Sequence, residues 1–153
     1  MVRAINNNSG NTTDNGLSDY TPTRATQTLP LVRLIVDDLV RLNESIEAQK
    51  DQLEGIDQLS ATMDRQAYVD ELSDMRGMLD GDIQRLQTCI DELARLGVEV
   101  HQPFDGFVDF PAQLNRRPIR LCWHPADEKV EYWHELGQSA DQRKKWDAAA
   151  VGC

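Results

Sequence analysis

The sequence predicts an α+β fold, mainly α. It consists of a long antiparallel, coiled-coil-like helical hairpin, then a small three-stranded antiparallel β-meander and a short C-terminal helix. Three observations carry this reading. Two stretches between Val32 and Leu93 repeat apolar residues at heptad spacing, the pattern of a helix–helix seam. After Gly97 the apolar period drops to two, the alternation of strands. With 153 residues and 40% hydrophobic content, the chain is long enough for one domain with an appendage, but a little lean for a compact globule.

Four segments follow. Residues 1–19, with the run Asn6-Asn7-Asn8-Ser9-Gly10-Asn11-Thr12-Thr13, have few apolar groups and no period. Such a segment cannot offset the entropy of ordering and is expected to be a disordered tail. Residues 20–96 form the helical hairpin. Thr21 and Pro22 suit an N-cap and first helical position, and Pro30 marks a kink or a second start. The first seam runs Val32, Ile35, Leu39, Leu42, Ile46, Gln49, Leu53, Ile56, with Gln49 as a polar residue that discriminates among pairings. The second runs Leu72, Met75, Leu79, Ile83, Leu86, Ile90, Leu93, with a stutter between Leu79 and Ile83. The turn belongs within 58–68. Residues 97–135 are the meander, begun by Gly97 at the helix C-terminus. Residues 136–153 are the C-terminal helix or tail, with Arg143-Lys144-Lys145 placed to dock on the acidic hairpin.

The charge narrows the partners. Of 26 acidic and 16 basic residues, 16 acidic and 7 basic lie between Leu31 and Val100, so −9 of the net −10 sits on the hairpin. Nucleic acid and anionic membranes need clustered cations and are excluded as partners of the rod. A basic protein partner suits its acidic surface. Three cysteines without paired spacing, no basic start followed by an apolar run and no long apolar stretch lead to a reduced, cytoplasmic expectation.

The meander carries the chemistry-bearing residues. If Trp123 pairs with Val130 across the turn Pro125–Glu128, one face holds Val108, Phe110, Ile119, Leu121, Trp123, Val130, Tyr132 and His134. The other then holds Phe107, Asp109, Arg120, Cys122, Glu131 and Trp133, with Asp109 opposite Arg120 in a cross-strand ion pair. His101, His124 and His134, with Cys122, Asp109 and Glu128, invite a zinc or iron reading. The expected parity separates His124 from His134, which favours a hydrogen-bonded structural histidine at 134. Cys122, between Leu121 and Trp123, reads first as a small buried hydrophobe. Trp123 and Trp133 suit a core better than a pocket. No nucleophile elbow, phosphate loop or His-Glu-x-x-His motif is present, so the reading leans away from an enzyme.

The runs Gly97-Val98-Glu99-Val100, Gly106-Phe107-Val108-Asp109-Phe110-Pro111-Ala112, Leu121-Cys122-Trp123 and Tyr132-Trp133-His134-Glu135 together resemble a bacterial family called domain of unknown function 2203. The resemblance covers about Tyr20 to Glu135 and implies heptad-rich helices followed by a VDFPA…LCW…YWHE segment. The family's Gly-Glu before the last strand reads Asp127-Glu128 here, and its glycine elements after the histidine have no counterpart in residues 137–143. The resemblance directs attention to Asp109, Cys122, Trp123, Glu128, Trp133 and His134, and away from His101 and His124. Two functions result as expectations. The first is a self-associating helical scaffold or interaction module, a homodimer or higher oligomer. The second is a divalent-metal or small-ligand protein with a site around His134 and Glu128, helped by Asp109 and Cys122.

Overall fold

The computed structural model describes residues 19–59 and 64–147; the tail expected over 1–19 therefore lies almost wholly outside the described residues. Thr21 caps helix α1 (Pro22–Gln27), its side chain accepting the Arg24 N–H at 3.1 Å. Thr28 ends α1, and α2 (Leu29–Leu59) starts at once. Pro30 is thus a second start, at a position whose N–H has no helical acceptor. Asp64 caps α3 (Arg65–Arg95), accepting the Ala67 N–H. At 31 residues each, α2 and α3 are about 46 Å long.

α2 and α3 pack on each other along the two seams. The second seam differs from expectation at one layer. Ile83 is 41% exposed, whereas the Asp82 side chain is only 18% exposed and accepts from Gln49 Nε2 at 2.6 Å. The seam runs Leu72, Met75, Leu79, Asp82, Leu86, Cys89, Leu93, with unbroken 3–4 spacing and no stutter. A polar residue hid the repeat. Towards the tip the hairpin buries little, while at its root Val32, Ile35, Val36, Leu39 and Leu93 are buried under the sheet.

Helix α3 closes in a Schellman turn: Gly97 takes φ +81°, and Val98 N–H donates to Leu93 O at 2.9 Å. The sheet has five antiparallel strands in sequence order, not three: β1 (Glu99–Val100), β2 (Val108–Leu114), β3 (Arg117–Trp123), β4 (Tyr132–Glu135) and β5 (Lys144–Lys145). The C-terminal helix is not formed among the described residues. A 3₁₀ turn, Ala140–Gln142, leads into edge strand β5, and Trp146 N–H donates to Glu131 O at 2.6 Å. The alternation of Arg143 and Lys145 against Lys144 and Trp146 is a strand pattern. The basic run accordingly packs on the sheet rather than on the hairpin: Lys145 reaches Glu131 and Lys144 lies over Trp133.

Val108, Phe110, Ala112, Ile119, Leu121 and Trp123 form the face that packs on the helices, and all are buried. Tyr20 ties the start of the chain to this layer. Its N–H donates to Pro111 O at 2.8 Å, its hydroxyl to Leu96 O at 2.5 Å, and its ring meets Phe110 edge-on at 5.1 Å.

Candidate metal centre

The second face of the sheet is polar, and register decides what gathers there. Glu99 pairs with Asp109, Asp109 with Cys122, Cys122 with Tyr132, and Arg120 with His134. Pairing preserves the face, so Asp109, Cys122, Tyr132 and His134 share one side. His101 belongs with them by alternation from Glu99, and its N–H donates to Phe107 O at 3.0 Å.

This corrects the expected sorting of the last strand. The pair Cys122–Tyr132 encloses an odd number of residues, whereas pairing Trp123 with Val130 encloses an even number. A one-residue slip turns every side chain over. Val130 leaves the ladder because its N–H donates to Thr26 Oγ1 at 3.0 Å, which draws the loop towards α1. His134 and Tyr132 therefore join Cys122, and Trp133 turns to the helical side. The expected Asp109–Arg120 ion pair is also not formed. Arg120 lies opposite Pro111 and bonds Glu99 at 3.0 Å.

Four potential ligand atoms converge, from His101, Asp109, Cys122 and His134, all within 4.8 Å of one another. Asp109 is 7% exposed, His134 2% and Cys122 0%. Asp109 Oδ1 lies 2.7 Å from His101 Nε2 and 3.1 Å from His134 Nε2. His134 Nδ1 is 2.8 Å from the Glu135 carbonyl, which can only accept, so Nδ1 carries the proton. Its Nε2, on the other side of the ring, faces Asp109 Oδ1 and the cluster; a backbone carbonyl at Nδ1 is the usual support of a metal-bound histidine. His101 Nε2 is buried and, despite its closeness to Asp109, has no hydrogen-bond partner. The contact is short but lies outside hydrogen-bond geometry.

The electrostatics are those of a desolvated pocket. Burial, and then the Asp109 charge, push the Cys122 thiol well above its ordinary range, with Arg143 opposing. The Asp109 carboxylate, 2.7 Å away, raises His101 against its own burial. Around the cluster, His124 Nδ1 accepts the Ala126 N–H and its Nε2 meets Asp105 O at 3.1 Å, so both ring nitrogens are engaged in holding the loop before β2.

Of the residues singled out from sequence, Asp109, Cys122 and His134 are brought together. Glu128 is not: it is exposed in the β3–β4 loop, and its neighbour Asp127 makes the contacts there, with His124 N–H at 3.0 Å and Arg143 at 2.7 Å. Trp123 is wholly buried on the opposite face, its indole N–H donating to Asp127 O at 3.0 Å, and Trp133 packs against the same core. His101, from which the family resemblance directs attention away, completes the group. The signal that could have found it is the period of two from Glu99, which puts His101 on the Asp109 face once β1 pairs with β2.

Among the described residues no helix is long and apolar enough to cross a membrane. No curated protein and no solved structure matches the chain. The family model described as an uncharacterized conserved protein, DUF2203, matches residues 19–146. That span takes in the hairpin, the sheet and all four converging residues, and the chain belongs to this family.

Proposed function

We propose that this chain is a divalent-metal-binding protein whose cation is held by His101, Asp109, Cys122 and His134 and pins the β1–β2 loop to strands β2, β3 and β4. The observation that carries the reading is the convergence of four ligand atoms within 4.8 Å around a buried His101 Nε2 that has no hydrogen-bond partner. Two imidazoles, one carboxylate and one thiolate make a donor set suited to a four-coordinate ion of borderline softness, of which Zn²⁺ is the type. Burial of Asp109, Cys122 and His134 supports a structural rather than a catalytic ion, since catalytic sites keep an open position. The scaffold reading has less support, because the heptad seams that invited a second copy close on each other within one chain.

The test is elemental analysis of tag-free protein, followed by titration of chelator-treated protein with Co²⁺. One equivalent of metal is expected, with visible bands of a tetrahedral ion and a near-ultraviolet sulfur-to-cobalt band that Cys122→Ser abolishes. Protein that takes up neither Zn²⁺ nor Co²⁺ at micromolar concentration overturns the proposal. So does an unchanged sulfur band in Cys122→Ser.

A further inference from the structure

The residues that hold the cluster come from elements of unequal strength. Asp109 and Cys122 lie inside seven-residue strands paired along their whole length. The segment at the sheet edge beside the cluster, residues 139–146, contains only a three-residue 3₁₀ turn and a two-residue strand. Arg143 lies on this strap, one residue before β5, and alternation from Lys145 puts it on the side of Tyr132, Cys122 and His134.

Its guanidinium is held in an unusual amount of company for an edge residue. It stacks over the Tyr132 ring at 4.2 Å and the Phe107 ring at 5.1 Å. Nη1 donates to Asp127 Oδ2 at 2.7 Å and to the Cys122 carbonyl at 3.5 Å, and Nη2 donates to Asp127 Oδ1 at 3.4 Å. The side chain is only 19% exposed. Phe107 belongs to the loop that carries His101, Tyr132 to the strand that carries His134, and Cys122 is itself in the cluster. One cation therefore bridges three of the walls, from a segment tied down by few bonds of its own.

We propose that Arg143 is the plug of the metal site: the strap seats its guanidinium between Phe107 and Tyr132, over Cys122, and its withdrawal sets how fast a cation enters and leaves. This rests on the metal reading above. A plug differs from a ligand in what it changes. Removing a plug speeds entry and release alike and leaves the equilibrium affinity nearly unchanged, whereas removing a ligand lowers the affinity. Shape also matters. A planar guanidinium stacks between two rings and forks onto a carboxylate, and a lysine ammonium does neither.

The experiment measures uptake of Co²⁺ by chelator-treated protein and its extraction from loaded protein by excess chelator, alongside the equilibrium affinity. The wild type is compared with Arg143→Ala, Arg143→Lys and Arg143→Met, the last keeping side-chain bulk should alanine fail to fold. Both rates are expected to rise about tenfold in Arg143→Ala and Arg143→Met, a barrier loss of about 1.4 kcal/mol. Arg143→Lys should recover only part of the slow exchange. Affinity should stay within about threefold, below the roughly 10–100-fold that outer residues of metal sites commonly cost. Unchanged rates in folded Arg143→Ala or Arg143→Met overturn the plug and leave the site standing. A large loss of affinity without faster uptake overturns it as well. Failure of the wild type to take up Co²⁺ strikes the metal reading itself.

Discussion

Leucine at both Gln49 and Asp82 converts a polar layer of the hairpin seam into an apolar one, and the single variants do not do half of that. In the native layer Gln49 Nε2 donates to Asp82 Oδ2 at 2.6 Å and to Ser45 Oγ at 2.9 Å, while Gln49 Oε1 is buried without a partner. Gln49→Leu removes that orphan but strips Asp82 of its shortest inter-helix donor. Asp82→Leu leaves the amide facing a leucine, with only Ser45 across its nitrogen. Each single variant gains about 1 kcal/mol from a half-buried leucine and loses about as much with the inter-helix hydrogen bond, although Asp82 keeps Ser45 and Arg85 and Gln49 keeps Ser45. Both should therefore lie within about 1 kcal/mol of the wild type. The double variant keeps the two gains without the two losses and should be about 2 kcal/mol more stable, a non-additivity of that order for residues in contact. Urea denaturation followed by the helical circular-dichroism signal reads this as a higher midpoint at unchanged slope. Additivity of the three variants to within about 0.5 kcal/mol would show that Gln49 and Asp82 are not coupled, because distant or independent residues behave that way. The apolar layer should also discriminate less among helix pairings, which sedimentation of the double variant at rising concentration detects.

Other perturbations bear on the sheet and its loops. Zn²⁺ at 100 times its dissociation constant should stabilise the fold by about 2.7 kcal/mol, a rise of roughly 5–10 °C in thermal midpoint. His101→Ala should lose most of that rise while its metal-free midpoint moves little. Gly106→Ala places a Cβ 2.9 Å from Pro125 Cδ at a backbone φ of +112°; it should cost about 2 kcal/mol in a melting experiment by forcing the β1–β2 loop off the β3–β4 turn. Thr26→Val should leave the Val130 N–H without its acceptor, costing about 1–3 kcal/mol and speeding hydrogen exchange at Val130 above that of the β3 amides.

Much of the fold is readable in the residues themselves, for a local reason. Heptad spacing, Thr21-Pro22 and Gly97 each state a backbone preference within a few neighbours, and the helices begin and end where those residues say. The face of β2 and β3 is equally local, because period two sorts it; their register is not, since Asp109 lies opposite Cys122 and not Arg120. The stutter expected at Ile83 is absent for a reason that needs the partner helix. Asp82 occupies a seam position only because Gln49 stands across from it with a donor.

The candidate site was half legible. Asp109 and Cys122 follow from the β2–β3 alternation, whereas His134 lies on the face opposite to the one that alternation predicts. Its side depends on whether the β3–β4 connection holds an odd or an even number of residues, and no residue in that loop announces the parity. A hydrogen bond from Val130 to Thr26, some hundred positions away in the chain, makes the choice. His101 depends in the same way on a two-residue strand whose pairing has little local signature. The helical hairpin, its acidity and the change of period at Gly97 are written in the residues, since propensity and patterning act between near neighbours. Tertiary structure alone decided which polar residues meet. A ligand set joins four backbone segments, and strand register, which long-range contacts set, turns each of those side chains towards the cluster or away from it.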